Sequence, residues 1–568
     1  MKPEQDINVL RHSAAHLLAH AVTELYPDTQ LTIGPATPEG FFYDFLPTSN
    51  FKESDLPAIA QRMEEIADRK LPLTHEQVSK KVARELYKNN PFKLELIDQI
   101  EGDTVGIARQ GDFYDLCRGG HVANTSLLKN FKLLTVSGSY WRGNREGKAL
   151  QRISGTAFFT PKELRMYEKQ REEALKYDHR KLGKELDLFS FHDEGPGFPF
   201  FHPQGKIVYD QLVGYLKKLL KAADYQEIAT PMMLSDELWK RSGHYDHYKN
   251  NMYFSEIDER SFAIKPMNCP GAILIYKERP RSYRELPLKL AEFGLAHRYE
   301  LSGVLHGLFR ARAFTIDDAH VFCTPHQLEE QIKQMVDITY TVLKKFGFDT
   351  ITVGISTKPE NAMGDDVLWQ KATDALKHAL ESAGVSYEIY EGEGAFYGPK
   401  IEFRIQDSMG REWQCGTIQV DFFQPQNFDL TYVSPEGTRA RPVMVHRAIY
   451  GSIERFFGIL VEHFKGRLPF FIAPVQMKIL TITDEQKEYG HELLATLKER
   501  GYRVAMDESS DPISGKIKTA QLQQIPWMLV IGAKELENKT ITLRHRDGKQ
   551  EFGLTLDEIL KKAEFDQK

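Results

Sequence analysis

The stretch AHRYELSGVLHGLFRARAFTIDDAHVFC, residues 296–323, decides how the rest of the chain is understood. Arg298 and Glu300 stand two apart, a spacing that in a strand turns both side chains to one face, where a guanidinium and a carboxylate grip different parts of one ligand. A surface ion pair, common and weak, has the same spelling. Here a loop with Gly and Ser follows, then Arg310, Phe314 and a second strand. The stretch predicts a basic hairpin with an aromatic residue at its return, an arrangement suited to clamping a nucleotide.

Outward from the hairpin, the organisation is that of several domains. The chain has 568 residues, enough for about three or four domains that each bury a core. Residues 1 to about 160 mix short alternating segments such as FFYDF with helices such as SDLPAIAQRMEEIADRK, an α+β pattern. The charged stretch TPKELRMYEKQREEALKYDHRKLGKEL has helical spacing and reads as a solvated connector. From about 185 to 470 aromatic and β-branched segments alternate with helical ones. Beyond Pro474, MKILTI, a helix, YRVAMD, another helix and PWMLVIG read as repeated βα units of a small open α/β sheet. The expected domains are 1–180, 181–470 and 471–568.

Composition removes several function classes. With 74 basic against 80 acidic residues the net charge is −6, so no global basic field attracts nucleic acid and RNA contacts must come from local patches. MKPEQD leads into a polar, amphipathic start rather than a signal peptide, and no apolar run approaches the ~18 residues of a membrane span. Four cysteines, scattered as Cys117, Cys269, Cys323 and Cys415, are too few for a disulfide framework and indicate a reduced, cytoplasmic protein.

Near the start, HSAAH places His12 and His16 four apart, with His20 four further on. That is the spacing of the zinc-protease motif H-E-x-x-H, but Ser13 stands where the glutamate base belongs. Satisfied core histidines on an apolar helix would look the same.

The 296–323 stretch resembles motif 2 of class II aminoacyl-tRNA synthetases, and its wording is similar to the threonyl type. YQEIATPMML resembles motif 1, with Pro231 as its proline, and PVMVHRAIYGSIERFFGIL resembles motif 3, with Arg455 as its arginine. KPMNCPGA, SGHYDHY, GEGAFYGPKIEF and EWQCGTIQVDF are also threonyl-type segments, so the likeness runs over nearly the whole chain. It implies a multidomain α+β protein: an antiparallel catalytic core, an N-terminal α+β editing domain and a C-terminal α/β anticodon-binding domain. It further implies ATP with Mg²⁺, L-threonine and a threonine tRNA as partners, and a homodimer formed through motif 1.

The site residues carried by the resemblance are specific. Arg298, Arg455 and His244 are catalytic; Arg298, Glu300, Arg310, Phe314, Gln414 and Arg455 bind ATP; Asp318, Tyr397 and Gln414 bind the amino acid. Cys269, His320 and His446 hold one Zn²⁺ per subunit, a count of three that leaves an open position as catalytic zinc sites do; on spacing alone a packed cysteine and core histidines would serve equally. Threonine ligates through its amino and hydroxyl groups, whereas valine lacks the hydroxyl and is rejected by ~10⁴-fold or more. Serine lacks only a methyl, worth ~1 to 3 kcal/mol, so a second, hydrolytic site is expected. DLCRGGH supplies Cys117 and His121 for it. With His12 and His16 they resemble the editing pocket of threonyl enzymes and their alanyl relatives, with Tyr43, Lys93 and Asp115 nearby. Alanyl relatives can hold zinc there, whereas the threonyl resemblance implies water activated without metal. Glu535 and Arg544 are the anticodon contacts.

Four departures accompany the resemblance. The ubiquitin-like module that often precedes the editing domain is expected to be missing, since His12 arrives almost at once. MNCPGH ends here in Ala272, and Ile316 takes a position usually Gln. Gly120 replaces the more usual Pro of CRGGH, with an expected effect on loop stiffness and little else. A catalytically dead regulator and a stand-alone hydrolase of mischarged tRNA are the rival classes. The intact Arg298, Glu300 and Arg455 argue against the first, and the presence of motifs 2 and 3 against the second.

Overall fold

The computed structural model describes residues 6–143, 147–360 and 362–567; most of the polar lead MKPEQD lies outside them. The chain packs as two compact units, Met1–Glu172 and Glu173–Lys568.

In the first unit, α1 (Ile7–Leu25) carries the histidine series. Asp6 caps it by accepting the Asn8 N–H at 2.8 Å, and buried side chains run all round it from Leu10 to Val22. A helix apolar on every side belongs inside a core. It packs with β1 (Gly40–Leu46) in a sheet whose path continues through β6 (Ala149–Ala157) to β5 (Phe131–Tyr140). A second sheet joins β2 (Leu73–Ser79), β3 (Thr104–Gln110) and β4 (Phe113–Leu116), with α2 (Pro91–Gln99) between β2 and β3 in the chain. The connector forms α3 (Pro161–Lys176), which buries no residue, as its charged sequence predicts.

The second unit begins with α4 (His179–Glu185). Its centre is an 8-stranded sheet in the order β7-β8-β9-β14-β13-β12-β10-β11. These are β7 (Gln226–Glu227), β8 (Leu288–His297), β9 (Ala313–Cys323), β10 (Ile351–Ser356), β11 (Glu388–Tyr390), β12 (Lys400–Gln406), β13 (Glu412–Asp421) and β14 (Val443–Ala448). The pairs from β8 through to β10 are antiparallel, while the edges β7 and β11 pair parallel. Helices α5 (Cys269–Lys277) and α6 (Ile453–His463) follow motif segments in the chain. The α6 helix buries Phe456, Phe457, Ile459 and Leu460 in the main core, which also takes in Val321, Phe403 and Val445 from the sheet.

The C-terminal segment has its own core around Met477, Leu493, Trp527 and Leu543. Its sheet is mixed. β15 (Met477–Thr481) lies between β16 (Val504–Asp507) and β17 (Trp527–Ile531) in parallel, as βα units require, and after α7 (Ala533–Asn538) the hairpin β18 (Ile541–His545) and β19 (Gln550–Leu554) continues antiparallel. No helix among the described residues is long and apolar enough to cross a membrane.

Candidate functional site

Strand register lays the floor of the first site. Pairing of β8 with β9 sets Glu292 opposite Asp318, and pairing of β9 with β14 sets His320 directly opposite His446. The two imidazoles meet edge to face, 5.0 Å between ring centres. Cys269 opens α5, and its Sγ and the histidine nitrogens lie within 4.8 Å of one another. All three residues are buried.

Their hydrogen bonding is incomplete in a telling way. His446 Nε2 donates to Asp421 Oδ2 at 2.9 Å, while its Nδ1 and both ring nitrogens of His320 have no partner among the described residues. A buried polar atom left unpaired costs ~1–3 kcal/mol. Burial, then the positive charges of His446 and Arg447, hold His320 well below its ordinary value, so its imidazole is neutral. Three orphaned nitrogens beside a thiol, one imidazole already oriented by a carboxylate, fit a zinc ion.

Above this floor opens a cavity of about 730 Å³, within the size range of ligand sites. Arg298, Glu300, Arg310, Phe314, Asp318, Tyr397, Gln414 and Arg455 all line it, together with Cys269 and His446. Tyr397 donates its hydroxyl to Gln419 Oε1. The Arg298 guanidinium stands 5.1 Å over the Phe314 ring and 5.5 Å over Tyr248. Ile316 shares the wall, while Ala272 is fully buried on α5.

Two expectations change. The Arg298–Glu300 pair does not sit on one face of a strand, because β8 ends at His297. Arg298 N still reaches Arg312 O at 2.9 Å, but Glu300 N turns back to Arg298 O at 2.8 Å, so the chain curls out of the sheet. Glu300 then accepts from Arg310 Nε at 2.9 Å across the loop. His244 is absent from the cavity wall: it is buried behind it, with Nδ1 2.8 Å from Ser242 Oγ and Nε2 3.1 Å from Met267 Sδ. Burial, then neighbouring positive groups, lower it to about 3. His247, one helical turn on, lines the cavity instead and stacks on Phe396 at 4.4 Å.

Sequence reasoning passed over Asn268 and Asp421. Asn268 Nδ2 donates to Asp318 Oδ2 at 2.8 Å and so aims that carboxylate. The available signals were an asparagine beside Cys269 and an acid closing the apolar strand TIQVD.

The second site lies in the first unit. His12 Nε2 is 3.0 Å from Cys117 Sγ, and His121 Nε2 is 3.4 Å from the same sulfur. His16 closes the group, its ring centre 4.7 Å from that of His12 and 5.1 Å from that of His121. Behind His16 sits a buried charge cluster: Asp115 accepts from Lys93 Nζ and, at 2.6 Å, from the Tyr43 hydroxyl. His16 Nδ1 lies 3.1 Å from Asp115 Oδ2 but off the hydrogen-bond line, so the contact is mainly one of charge. Burial opposes ionisation of the Cys117 thiol, yet contacts with His12, His121 and His16 bring it down to about 3. Burial likewise opposes the charged His16, but Asp115 and Cys117 lift it to about 9. The pocket is an imidazolium beside a thiolate.

The third histidine of the series takes no part. His20 meets Gln110 at 3.0 Å and Glu24 at 3.1 Å, a satisfied core histidine. Gly120 also differs from expectation: with φ of +84°, following Gly119 at +105°, it occupies backbone space closed to a proline ring held near −65°. The replacement changes the path of the loop and not its stiffness alone.

In the C-terminal sheet, Glu535 caps its own helix, accepting the Gly532 N–H at 3.0 Å and the Thr542 hydroxyl at 2.8 Å. Arg544 is half-buried on β18, and its Nε has no partner among the described residues.

Three family profiles match in chain order. The threonyl and alanyl tRNA synthetase second additional domain covers residues 105–154, the tRNA synthetase class II core domain (G, H, P, S and T) 252–464, and the anticodon binding domain 470–564. The threonine–tRNA ligase of Thermotoga neapolitana is 50% identical over 565 residues, 98% of this chain and 88% of the relative. The chain belongs to the threonine–tRNA ligase family. Another member, from Clostridium tetani, is 49% identical over 566 residues, 99% of this chain and 88% of its own. Among solved structures, the RNA binding domain of threonyl-tRNA synthetase from Cryptosporidium parvum superposes with a TM-score of 0.67 at 42% identity, covering 68% of this chain and 98% of that one. The threonine–tRNA ligase family thus accounts for the class II core, the editing-related domain and the anticodon-binding domain together.

Proposed function

We propose that the chain activates L-threonine with ATP in the cavity above β9, passes the threonyl group to the 3′ end of its tRNA, and hydrolyses mischarged seryl-tRNA in the pocket of His12, His16, Cys117 and His121. One observation carries the reading: Cys269 and His446, which cluster with His320, line the same cavity as Arg298, Phe314 and Arg455.

Cys269, His320 and His446 would hold a zinc ion, which when bound supplies a Lewis acid with an open position for amino and hydroxyl groups. The protein's own groups do the rest. Asp318, aimed by Asn268, takes the threonine hydroxyl, and Tyr397 and Gln414 close the amino-acid pocket. Arg298 orients the carboxylate against the α-phosphate, Phe314 stacks on adenine, and Arg310 and Arg455 draw phosphate charge, with Glu300 also on ATP and Mg²⁺ accompanying it. Attack on the α-phosphate is largely positioning plus electrostatics, which suits this set. His244, buried behind the wall that His247 lines, would act on the reaction only through that wall. In the second pocket His12 and His121 hold Cys117, and Asp115, itself held by Lys93 and Tyr43, holds His16, so that a water is activated without metal.

Homodimerisation through motif 1 is supported by Met232 and Met233, exposed large apolar residues directly after Pro231. Arg544 and Glu535 are proposed anticodon contacts. The decisive experiment is ATP–pyrophosphate exchange with a panel of amino acids, joined to hydrolysis of seryl-tRNA by the wild type and by His16→Ala/Cys117→Ala. Threonine should exceed all other amino acids, and the double variant should keep threonine charging while accumulating seryl-tRNA. Exchange with another amino acid in preference, or unchanged hydrolysis in a stable double variant, refutes the corresponding half.

A further inference from the structure

One buried histidine stands outside both pockets. His179 opens α4 and is fully buried. Its backbone N–H donates to Glu462 Oε1 at 2.8 Å and its Nδ1 to the same oxygen at 2.7 Å, while its Nε2 accepts the backbone N–H of Leu308 at 3.0 Å. With Asp178 the three side chains have the spacing of a metal site. The hydrogen bonds assign them otherwise: with Nδ1 protonated toward Glu462 and Nε2 occupied by an N–H, the ring has no lone pair left to give.

What the ring holds is the loop between β8 and β9. Leu308 and Phe309 line the 730 Å³ cavity, and the Phe309 ring lies 4.0 Å from that of His179 and 4.4 Å from that of Trp413. Gly307 has φ of +50°, and a Cβ there would stand 2.3 Å from His179 Nε2; the loop backbone therefore seats on the imidazole itself. Glu462 lies on the last turns of α6, two turns beyond Arg455. Its second oxygen accepts from Arg411 at 2.5 Å. Arg411 also grips Asp407, whose carboxylate accepts the Trp413 indole N–H at 2.9 Å. The 302–312 loop, α6 and β13 thus converge on one buried ring supplied by the segment after the connector.

We infer that His179, oriented by Glu462, is a positioning residue for adenylate formation: it fixes the Leu308–Arg310 backbone so that Arg310 and Phe314 face ATP. The inference rests on the proposal that this cavity is the ATP site. Polarity separates positioning from packing. A phenyl ring would fill the same space, but it would leave the Leu308 N–H buried and unpaired and would cost Glu462 one of its hydrogen bonds.

The test is ATP–pyrophosphate exchange by the full chain at saturating threonine with ATP varied, for His179→Phe, His179→Gln and Glu462→Gln, with threonine saturation curves and melting temperatures alongside. His179→Phe should raise KM for ATP about tenfold, the size of one lost buried hydrogen bond, and leave KM for threonine within about twofold. His179→Gln, whose amide oxygen can still accept from Leu308, should recover much of the loss. Glu462→Gln keeps the shape and should give a smaller rise, about threefold, and it carries the test if His179→Phe does not fold. Wild-type ATP dependence in a folded variant, or equal rises for ATP and threonine, overturns the inference and leaves the proposed function standing. Failure of the wild type to exchange with any amino acid overturns both.

Discussion

Replacing Asp115 with asparagine keeps the shape of a buried group in the proposed editing pocket and removes one charge. Asp115 is 1% exposed. It accepts from Lys93, from the Tyr43 hydroxyl at 2.6 Å and from its neighbour's Leu116 N–H at 2.8 Å, and it faces His16 Nδ1 at 3.1 Å. Against the lowering effect of burial, Asp115 and Cys117 lift His16 from 6.5 to about 9. A group raised on folding contributes stability that is fully present below its unfolded value of 6.5 and is lost as pH rises through about 9. At ~1.4 kcal/mol per pH unit, His16 stabilises the fold by on the order of 3 kcal/mol at pH 6 and by little above pH 9. Asp115→Asn removes much of that contribution. It also leaves the Lys93 ammonium buried without its counter-charge, a cost of ~3–5 kcal/mol that is nearly flat over the same pH range.

The assay is calorimetric melting of the full chain from about pH 6 to pH 9.5, following the transition of the first unit, with seryl-tRNA hydrolysis measured in parallel. The variant should melt lower throughout, and its deficit should grow toward pH 6 by an amount equivalent to ~3 kcal/mol. Hydrolysis should fall while pyrophosphate exchange in the second unit is spared. A deficit that is the same at both ends of the range would refute the reasoning, because His16 would then carry no charge that depends on Asp115.

Three further outcomes follow from the geometry. Cys269→Ser should lose bound zinc and threonine activation together, read by metal analysis of the purified protein and by exchange; a full equivalent of zinc retained per chain would place the metal elsewhere. Arg544→Ala should impair charging of full tRNA while exchange stays at the wild-type rate, and equal loss of both would remove the anticodon role. Gly120→Pro should slow seryl-tRNA hydrolysis by about tenfold or more, because a proline cannot hold φ near +84° and His121 would be drawn off Cys117; an unchanged rate would show that the loop reaches the same pocket by another path.

What was legible in the sequence was chemistry carried by residue type, and what was not was direction. Cys269, His320 and His446 could be named as a set, but only the antiparallel registers of β9 with β14 turn a list into three side chains within 4.8 Å. The histidines four apart on α1 looked alike, yet helical spacing says only which residues share a stripe. Clustering around Cys117 selects His12 and His16, and Gln110 and Glu24 take His20 into the core. Arg298 and Glu300 show the limit of a two-residue rule, which holds only while the strand lasts, and β8 stops one residue short of them. His179 shows the opposite limit. In KYDHRKLG it looks like one more polar residue of a solvated connector, since nothing local marks it for burial. Its partners, Leu308 and Glu462, lie 129 and 283 positions away, so its role is written in the tertiary fold. A reader of sequence alone finds the groups that touch substrates, because those chemistries demand particular side chains. The groups that hold them in place can be almost any polar residue with the right neighbours, and only the packed chain says which ones they are.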